Sequence, residues 1–444
     1  MTTGGDVQAL VEMTDTVGLP YTTGLQRVAR ELVARLPAEG PVAYRPVVWS
    51  PVCDGFRSLT GDESHALTHP RQQLPASTAL ARRLPRPVAA GVRQVLATGA
   101  GRRARSTLQD AAHRRAERPH VGLCLGSPGP STVLLDLEAA WNDPVPRTEL
   151  LDQFRRAGAR SAAMIADVLP VLHPEWFDSQ LLVDFDEFLN GHLAHSDLFL
   201  CISERTRKDL LLVAEQRGVK RELRTRVIPL GSDLGPTAPS GDATSDPTSS
   251  AVGEDTPATR GRYLLTVGTI EPRKNQGLAL DAFDALAGRY PDLGLVLVGK
   301  RGWKVDELIR RIETDRYYGD RLLWLEEVDD DRLAHLYRGA TLALAPARYE
   351  GLGMTVMESL RLGTPVIASS GGALPEAGGD AAEYAHPDDT AAWISLVERH
   401  LDDPAHHEAA IRRVAAHELP TWDGAAAAVT AAMVEVFGPG GPRP

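Results

Sequence analysis

Cysteine is scarce in this chain of 444 residues, which contains only Cys53, Cys124 and Cys201. Three thiols are an odd number and lie far apart, so they fit neither a disulfide framework nor a zinc site with closely spaced ligands. Two of them fall in apolar runs that are typical of strands. We therefore expect reduced, buried thiols, as is usual in a cytoplasmic protein.

Long apolar runs are also missing. No segment approaches the roughly 20 apolar residues of a membrane-spanning helix, and the Ala-rich run at 425–437 predicts only a short helix. The N-terminus lacks the basic start and apolar core of a secretory signal. These absences favour a cytoplasmic protein. The length suits two large α/β domains better than one compact core.

The chain divides at residues 233–260, which are rich in Ser, Thr, Pro, Gly and Asp. Such a segment cannot bury enough apolar surface to offset its ordering entropy, so we expect a disordered linker or loop. It separates an N-terminal domain, residues 1–232, from a C-terminal domain, residues 261–424. A C-terminal helix and tail, residues 425–444, could pack back on the N-terminal domain.

Apolar strands alternate with amphipathic helices on both sides of this linker. In the second half the predicted strands are 263–267, 293–298, 322–325, 341–345 and 365–368, and the predicted helices are 275–289, 305–312, 330–338, 353–362 and 390–400. In the first half the predicted strands are 8–13, 42–49, 121–125, 132–137, 162–165, 198–202 and 226–228, with a helix at 23–36. This alternation predicts an α/β protein with two Rossmann-like domains, whose parallel sheets face a central cleft. Ligands of such sheets bind at the carboxyl ends of the strands.

Two cations follow the first strand of the C-terminal domain. That strand ends at Gly268, and Arg273 and Lys274 come just before a helix. A solvated pair at a helix start is the simpler interpretation, but cations there oppose the helix dipole. An anion such as a diphosphate between them and the helix would remove this conflict.

Two glutamates stand eight residues apart around a Gly-x-Gly loop. Glu350 precedes the loop, Gly351–Gly353, and Glu358 lies one turn into the helix that follows. The glycines let backbone N–H groups approach a phosphate or sugar hydroxyl, and a carboxylate in the helix can accept hydrogen bonds from a ribose. Residues 363–372 fit an ordinary helix-to-strand turn, and residues 22–28 predict a tight loop entering the first N-terminal helix.

In combination, these motifs resemble the family 4 retaining glycosyltransferases, in a mannosyltransferase-like subgroup. The similar segments are Val267–Asn275, Tyr349–Gly353 with Glu350 and Glu358, Gly363–Ala368, Thr23–Val28, Asp167–Pro170 with Pro174 and Glu175, and Cys201–Leu210. The resemblance covers most of residues 7–390. It implies a GT-B fold, metal-independent chemistry without a cofactor, and a nucleotide-diphosphate sugar as donor substrate.

The resemblance also implies roles for individual residues. The catalytic group would be Arg273, Lys274 and Glu350. Donor binding would use Gly24, Gly268, Arg273, Lys274, Val328, Glu350, Gly351, Leu352, Gly353, Met354, Thr355 and Glu358. The acceptor side would include Asp167 and Arg27.

The chain departs from the family pattern at several of these positions. Leu352 replaces a frequent Phe, Thr355 stands where Pro or Val is common, and Glu326 with Glu327 precedes Val328 in the turn that contacts the base. A His-Asp pair of related enzymes appears here as Ala166-Asp167. The imidazole that orients the reacting sugar is therefore absent at that position, which leaves its role to Asp167 or to another residue.

Two further features carry weaker signals. His192 and His195 with Asp197 resemble a metal cluster only loosely, and we expect no metal site there. Residues 81–118 hold ten arginines but only Asp110 and Glu117 as acids. They predict either a solvated basic surface or a peripheral contact with an anionic membrane.

The function predicted from the sequence is transfer of a hexose, mannose or similar, from a nucleotide sugar such as GDP-mannose. The acceptor would be a lipid-linked glycan or a small natural product, and no nucleic-acid partner is expected. The predicted location is cytoplasmic, with peripheral contact at the inner face of the membrane as an option. Two alternatives stay open, a GT-B nucleotide-sugar epimerase and a catalytically silent sugar-nucleotide-binding partner.

Overall fold

Two largely parallel sheets organise the chain, as a computed structural model shows for residues 7–18, 24–68, 118–233 and 261–440. The strands of the first sheet are β1 Val7–Glu12, β2 Val42–Ser50, β3 Gly55–Ser58, β4 Thr132–Asp136, β5 Arg160–Ile165, β6 Leu198–Cys201 and β7 Thr225–Val227. Those of the second are β8 Tyr263–Val267, β9 Gly294–Val298, β10 Leu322–Leu325, β11 Leu342–Ala345, β12 Val366–Ser369 and β13 Glu383–Ala385. The orders are β3-β2-β1-β4-β5-β6-β7 and β10-β9-β8-β11-β12-β13.

Helices cover these sheets, and their bounds follow in chain order. They are α1 Thr14–Gly18, α2 Gly24–Val33, α3 Gly61–Thr68, α4 Arg147–Arg156, α5 Leu169–Leu172, α6 Ser179–His195, α7 Glu204–Gln216, α8 Gln276–Leu286, α9 Asp306–Glu313, α10 Asp330–Gly339, α11 Met354–Arg361, α12 Leu374–Gly378, α13 Thr390–Asp402, α14 Pro404–Ala416 and α15 Trp422–Phe437. Among the described residues, no helix has the length and apolar character needed to span a bilayer.

The predicted pattern of the C-terminal domain is confirmed. All five residues of β9 are buried, and every residue of β11 and β12 is buried as well. Strands that are covered by helices on both faces have no solvent-exposed side, so their sequences are continuously apolar rather than alternating. This burial explains why β8 to β12 could be located from composition alone.

The predicted strand at 121–125 is wrong. Residues Arg118–Leu123 form a 3₁₀ helix, and Cys124 makes only an isolated bridge with Arg57. The neighbours of β1 in the sheet are β2 and β4, so this short apolar run contributes no strand to the sheet interior. The sequence prediction also missed β3, which pairs antiparallel with β2 at the edge of the sheet.

The prediction of reduced thiols is wrong for two of the three cysteines. Cys53, in the turn between β2 and β3, forms a disulfide with Cys124, and their Cα atoms lie 5.5 Å apart. The bridge between Arg57 and Cys124 brings the two segments together. Cys201, at the end of β6, is free and buried. The cytoplasmic location can therefore no longer be argued from the cysteines.

The C-terminal helix α15 packs against the N-terminal domain, where it contacts α2, β2 and β6. Its buried residues include Trp422, Val429, Met433 and Phe437. The guanidinium of Arg160 donates hydrogen bonds to the carbonyls of Val436 and Phe437, which hold the end of the helix.

Two segments of the chain pass between the domains, one at Gly231 and one at Trp422, and they lie side by side. A Cβ on Gly231 would lie 2.4 Å from the backbone nitrogen of Trp422, so the two backbones touch. Arg361 on α11 ties both segments to the C-terminal domain, because it contacts Ser232 and donates to the carbonyl of Pro420 at 2.6 Å. Asp233, the first residue of the predicted linker, forms an ion pair with Arg361. The rest of that linker, residues 234–260, lies outside the described residues.

Candidate active site

Arg273, Lys274 and Glu350 meet at the carboxyl ends of two central strands of the second sheet. The cations lie in a 3₁₀ turn, Pro272–Lys274, after β8, and Glu350 follows β11. One oxygen of Glu350 accepts from Arg273 at 2.6 Å, and the other contacts Lys274 at 2.5 Å. β8 and β11 are direct neighbours, so this pairing follows from the sheet order.

This cluster keeps Glu350 ionised although the residue is only 9% exposed. Burial by itself raises the pKa of a carboxyl group, but the charges of Arg273 and Lys274 outweigh it and lower the pKa of Glu350 to about 2. Glu271, also buried, accepts from Arg273 at 2.8 Å. Glu350 is therefore an anion at neutral pH and cannot act as a general acid there.

The glycine loop after Glu350 touches the N-terminal domain. A Cβ on Gly351 would lie 2.1 Å from the carbonyl oxygen of Ala166, so a larger residue would push the domains apart. Two hydroxyls of the N-terminal domain, those of Ser203 and Thr206, donate to the carbonyl of Gly351 at 2.5 and 3.0 Å. Gly353 has a φ of 98° just before α11, a conformation that favours glycine.

Asp167 faces the same cluster from the other domain. Burial raises the pKa of Asp167, and the positive charge of Arg273 acts in the opposite direction. The backbone N–H of Leu169 donates to this carboxyl group at 2.9 Å. Ala166-Asp167 therefore lies against the glycine loop and the cations.

The starts of two helices approach each other across the cleft. A Cβ on Gly24, the first residue of α2, would lie 4.0 Å from the sulfur of Met354, the first residue of α11. One turn further on, Arg27 pairs with Glu358 at 2.8 Å. The backbone N–H groups at a helix start favour anions, so both helices present the same kind of site to the cleft.

Residues 254–417 match the family model described as "Glycosyl transferases group 1". The C-terminal domain of the chain is therefore similar to the group 1 glycosyltransferases. A serotype-specific mannosyltransferase, WbdA, of Escherichia coli is 30% identical over 221 residues, which are 49% of this chain and 27% of the relative. An O-antigen chain mannosyltransferase B of Escherichia coli is 37% identical over 155 residues, which are 34% of this chain and 40% of the relative. The chain thus spans less than half the length of these curated relatives.

The fold of the chain is GT-B. Sucrose-phosphate synthase from Thermosynechococcus elongatus superposes with a TM-score of 0.55 at 19% identity, covering 97% of this chain and 99% of that one. At this level of identity the likeness concerns the architecture alone. It confirms the predicted pair of Rossmann-like domains facing a cleft.

The remaining predicted donor residues are distributed around this cluster. A Cβ on Gly268 would lie 3.4 Å from Cε of Lys274, so the end of β8 contacts the lysine stem. Leu352 is buried in the core, the carbonyl of Thr355 accepts from Tyr337, and Val328 packs at the core's edge. Val328 follows β10, which lies two strands from β8 in the sheet.

Arg27 lies closer to the donor residues than predicted from its assignment to the acceptor side. Its guanidinium bridges Glu358 and the carbonyl of Asp233, at 2.8 and 2.5 Å. Glu358 also lies 3.4 Å from the hydroxyl of Tyr337. In this structure, Glu358, the residue predicted to bind the ribose, is paired with Arg27, a cation of the opposite domain.

Several residues of this region were missed at the level of the sequence. Tyr349 contacts Asp209 and Arg205 through its hydroxyl, which joins the Glu350 loop to α7. Glu376 of α12 accepts from the backbone N–H of Glu204 at 2.8 Å, so it caps α7 across the domain interface. The Cys201–Leu210 motif signalled that α7 matters, but nothing in its spacing indicated these partners.

The loose histidine cluster around His192 has a structural explanation. His192 is fully buried, and its two ring nitrogens contact Ser196 at 2.7 Å and Asp136 at 3.0 Å. Among the described residues, His192, His195 and Asp197 do not belong to a group of three mutually close ligand side chains. The Arg-rich stretch 81–118 lies outside the described residues except for Arg118.

Proposed function

We propose that this chain transfers a hexose, mannose or a close relative, from a nucleotide-diphosphate sugar to a glycan or small-molecule acceptor. The anomeric configuration would be retained, and neither a cofactor nor a metal takes part in the proposed chemistry. The names of the two Escherichia coli relatives, both mannosyltransferases, support mannose as the sugar. The O-antigen relative supports a glycan chain as acceptor.

The pairing of Glu350 with both Arg273 and Lys274 is the observation that carries this proposal. As the bond from the sugar to the diphosphate breaks, negative charge builds on the leaving phosphate. The two cations and the uncapped start of α11 at Gly353 are placed to stabilise that charge. Glu350, ionised between them, would accept hydrogen bonds from the hydroxyls of the donor sugar.

The N-terminal domain completes the donor site in this proposal. The start of α2 at Gly24 approaches the start of α11, so a diphosphate in the cleft would face both helix ends. Glu358 would bind the ribose. Because Arg27 now holds Glu358, donor binding would either displace this ion pair or use Arg27 as a second contact.

A thermal-shift screen with GDP, UDP, ADP and the matching hexose donors tests the donor class. A ligand at 100 times its dissociation constant stabilises the folded protein by about 2.7 kcal/mol. We expect one nucleotide series to shift the midpoint, and the shift to shrink in Lys274→Ala. Incubation with the stabilising donor then separates the alternatives. Sugar transferred to an acceptor with retained configuration, measured by NMR, supports the proposal.

Three other outcomes contradict it. An altered nucleotide sugar formed without an acceptor identifies an epimerase. Binding with neither transfer nor hydrolysis identifies a silent partner. An inverted product excludes the proposed stereochemistry.

Location at the inner face of the membrane is part of the proposal only for a lipid-linked acceptor. Ten arginines in residues 81–118 could then contact anionic lipid, each with about 1 kcal/mol of attraction at low salt. Sedimentation with anionic vesicles, fading as salt rises, is the expected result. Failure to sediment at low salt would favour a soluble acceptor.

A further inference from the structure

A cluster of imidazoles surrounds one carboxylate at the far edge of the second sheet. Glu383 lies on the edge strand β13, His400 in the last turn of α13, and His406 in the first turn of α14. One ligand atom from each lies within 4.8 Å of the other two. β13 is separated from the Glu350 strand by β12, so this cluster is distinct from the proposed donor site.

We propose that Glu383, His400 and His406 form a binding site for a zinc ion. Two imidazoles and one carboxylate are a common zinc ligand set, with a water molecule in the fourth position. The site would join three consecutive elements of the C-terminal domain. The site is independent of the proposed sugar transfer.

The separations of the two imidazole nitrogens from the carboxylate oxygen fit one tetrahedral ion. Nε2 of His406 lies 2.9 Å from a carboxylate oxygen of Glu383, and Nε2 of His400 lies 3.4 Å from the same oxygen. Ligand atoms of one zinc ion lie about 3.3 Å apart, because bonds of about 2.0–2.1 Å meet at a tetrahedral angle. The two observed separations bracket this value.

The orientation of His406 also fits. Its Nε2 atom is buried and lacks a hydrogen-bond partner, although the oxygen of Glu383 is only 2.9 Å away. Nε2 of His406 and this oxygen are close but not hydrogen-bonded to each other, so both can coordinate the same ion. A buried ring nitrogen without a hydrogen bond is otherwise costly, and a metal ion would satisfy it.

The other ring nitrogen of His400, Nδ1, has a hydrogen-bond partner, as is usual for a histidine that binds a metal. Nδ1 of His400 lies 3.1 Å from Nδ1 of His407, so one of the two donates to the other. If Nδ1 of His400 carries the proton, its Nε2 lone pair is free for the metal. Such supporting hydrogen bonds orient the ligand ring.

Arg413 competes with the ion. Its guanidinium donates to the same Glu383 oxygen at 2.7 Å, and its side chain is 37% exposed. Without metal, the arginine neutralises the carboxylate. On binding, we expect it to turn into solvent, because its positive charge would repel the ion.

Titration of the tag-free full-length protein with zinc chloride, after EDTA treatment and dialysis, tests this proposal. We expect one ion per chain by calorimetry, a zinc-dependent rise in the unfolding temperature, and tetrahedral absorption bands with Co²⁺. His406→Gln should abolish stoichiometric binding, and His407→Ala should weaken it by about 10–100-fold. Arg413→Gln should tighten it, since a competitor is lost. His335→Gln, on the exposed face of α10, serves as the matched control and should bind as the parent does.

His400 is buried, so His400→Gln is informative only if the purified variant retains cooperative unfolding, and His406→Gln avoids this difficulty. The proposal is overturned if the parent takes up no zinc at one equivalent. It is equally overturned if His406→Gln and Arg413→Gln bind zinc as tightly as the parent. Donor-induced thermal shifts should be unchanged in all of these variants, which separates this test from that of the proposed function.

Discussion

Each sheet ends in a cluster of buried charges at the carboxyl ends of its central strands, but the two clusters differ in charge balance. In the N-terminal domain, Glu12 ends β1 and Asp136 ends the neighbouring β4, and the pair faces Arg147. Asp143 brings a third carboxylate to this guanidinium, and Glu138 lies beside Glu12. In the C-terminal domain, Glu350 and Glu271 share the two cations Arg273 and Lys274.

The same burial therefore has opposite results. In the N-terminal cluster, burial and the neighbouring carboxylates raise the pKa of Glu138 to about 8 and that of Glu12 well above its ordinary value. In the C-terminal cluster, Arg273 and Lys274 lower the pKa of Glu350 to about 2, whereas burial raises that of Glu271. The side chain of Arg147 is 2% exposed, whereas that of Lys274 is 19% exposed. Of these two strand-end clusters, the C-terminal one has partly exposed cations that can bind an anion, whereas the N-terminal one is a structural tie.

Removal of Arg147 should have the largest effect on stability. Arg147→Met leaves Glu12, Asp136 and Asp143 buried around an apolar side chain, and breaking a buried ion pair costs about 3–5 kcal/mol. Urea unfolding at neutral pH measures this loss. Arg155→Met, an exposed position on the same helix, is the control and should change little. A loss below about 1 kcal/mol for Arg147→Met would show that water reaches the cluster.

Removal of either cation of the C-terminal cluster should affect turnover instead. Arg273→Ala and Lys274→Ala should each lower the rate by about 10²–10³, the usual effect of losing one pre-placed donor to a developing charge. Both side chains are partly exposed, so the unfolding midpoint should move less. Steady-state kinetics with the identified donor measures the rates. Near-normal turnover in both variants would contradict the assignment.

The proton bound by the N-terminal cluster should make stability depend on pH. The unfolded chain releases a glutamic acid proton near pH 4.5, whereas the folded protein keeps the one on Glu138 up to about pH 8. Stability from this group is therefore complete below pH 4.5 and is lost as the pH rises through 8, by at most about 1.4 kcal/mol for each pH unit.

Glu12→Gln imitates the protonated form of the partner carboxyl and should flatten this decline. Unfolding midpoints at pH 6 and pH 8 measure the slope, with the exposed Glu39→Gln as control. Glu350 acts in the opposite sense, because its contribution is present above pH 4.5 and disappears as the pH falls toward 2. An unchanged slope between pH 6 and pH 8 in Glu12→Gln would exclude a shared proton.

Substitution of Glu358 should have the smallest effect of the four predicted changes, and the effect should be on donor binding. The ribose does not change during the reaction, so Glu358→Gln should raise KM and leave kcat nearly unchanged. Hydrogen bonds to a charged group contribute about 1.5–3 kcal/mol. The glutamine keeps the shape of the side chain beside Arg27. Normal nucleotide affinity combined with lost turnover would assign Glu358 to the chemical step.

The C-terminal half could largely be predicted because its signals are local. Continuous apolar strands and short motifs located β8 to β12, and Arg273, Lys274 and Glu350 lie close together as the motifs implied. The edge of the N-terminal sheet was harder to predict from the sequence. β3 is four residues long, and a 3₁₀ helix occupies the run that was predicted to be a strand at 121–125.

The sequence by itself determined the alternation of strands and helices, and with it the position of the Arg273–Lys274 turn and the Glu350 loop at strand ends. Only the tertiary structure decided the pairing of Arg27 with Glu358, the approach of Ala166 to Gly351, the disulfide between Cys53 and Cys124, and the grouping of Glu383 with two histidines. Strand and helix patterns repeat every two to four residues and depend on burial of neighbouring side chains. Contacts between distant segments depend on how the elements and domains pack, which no local periodicity records.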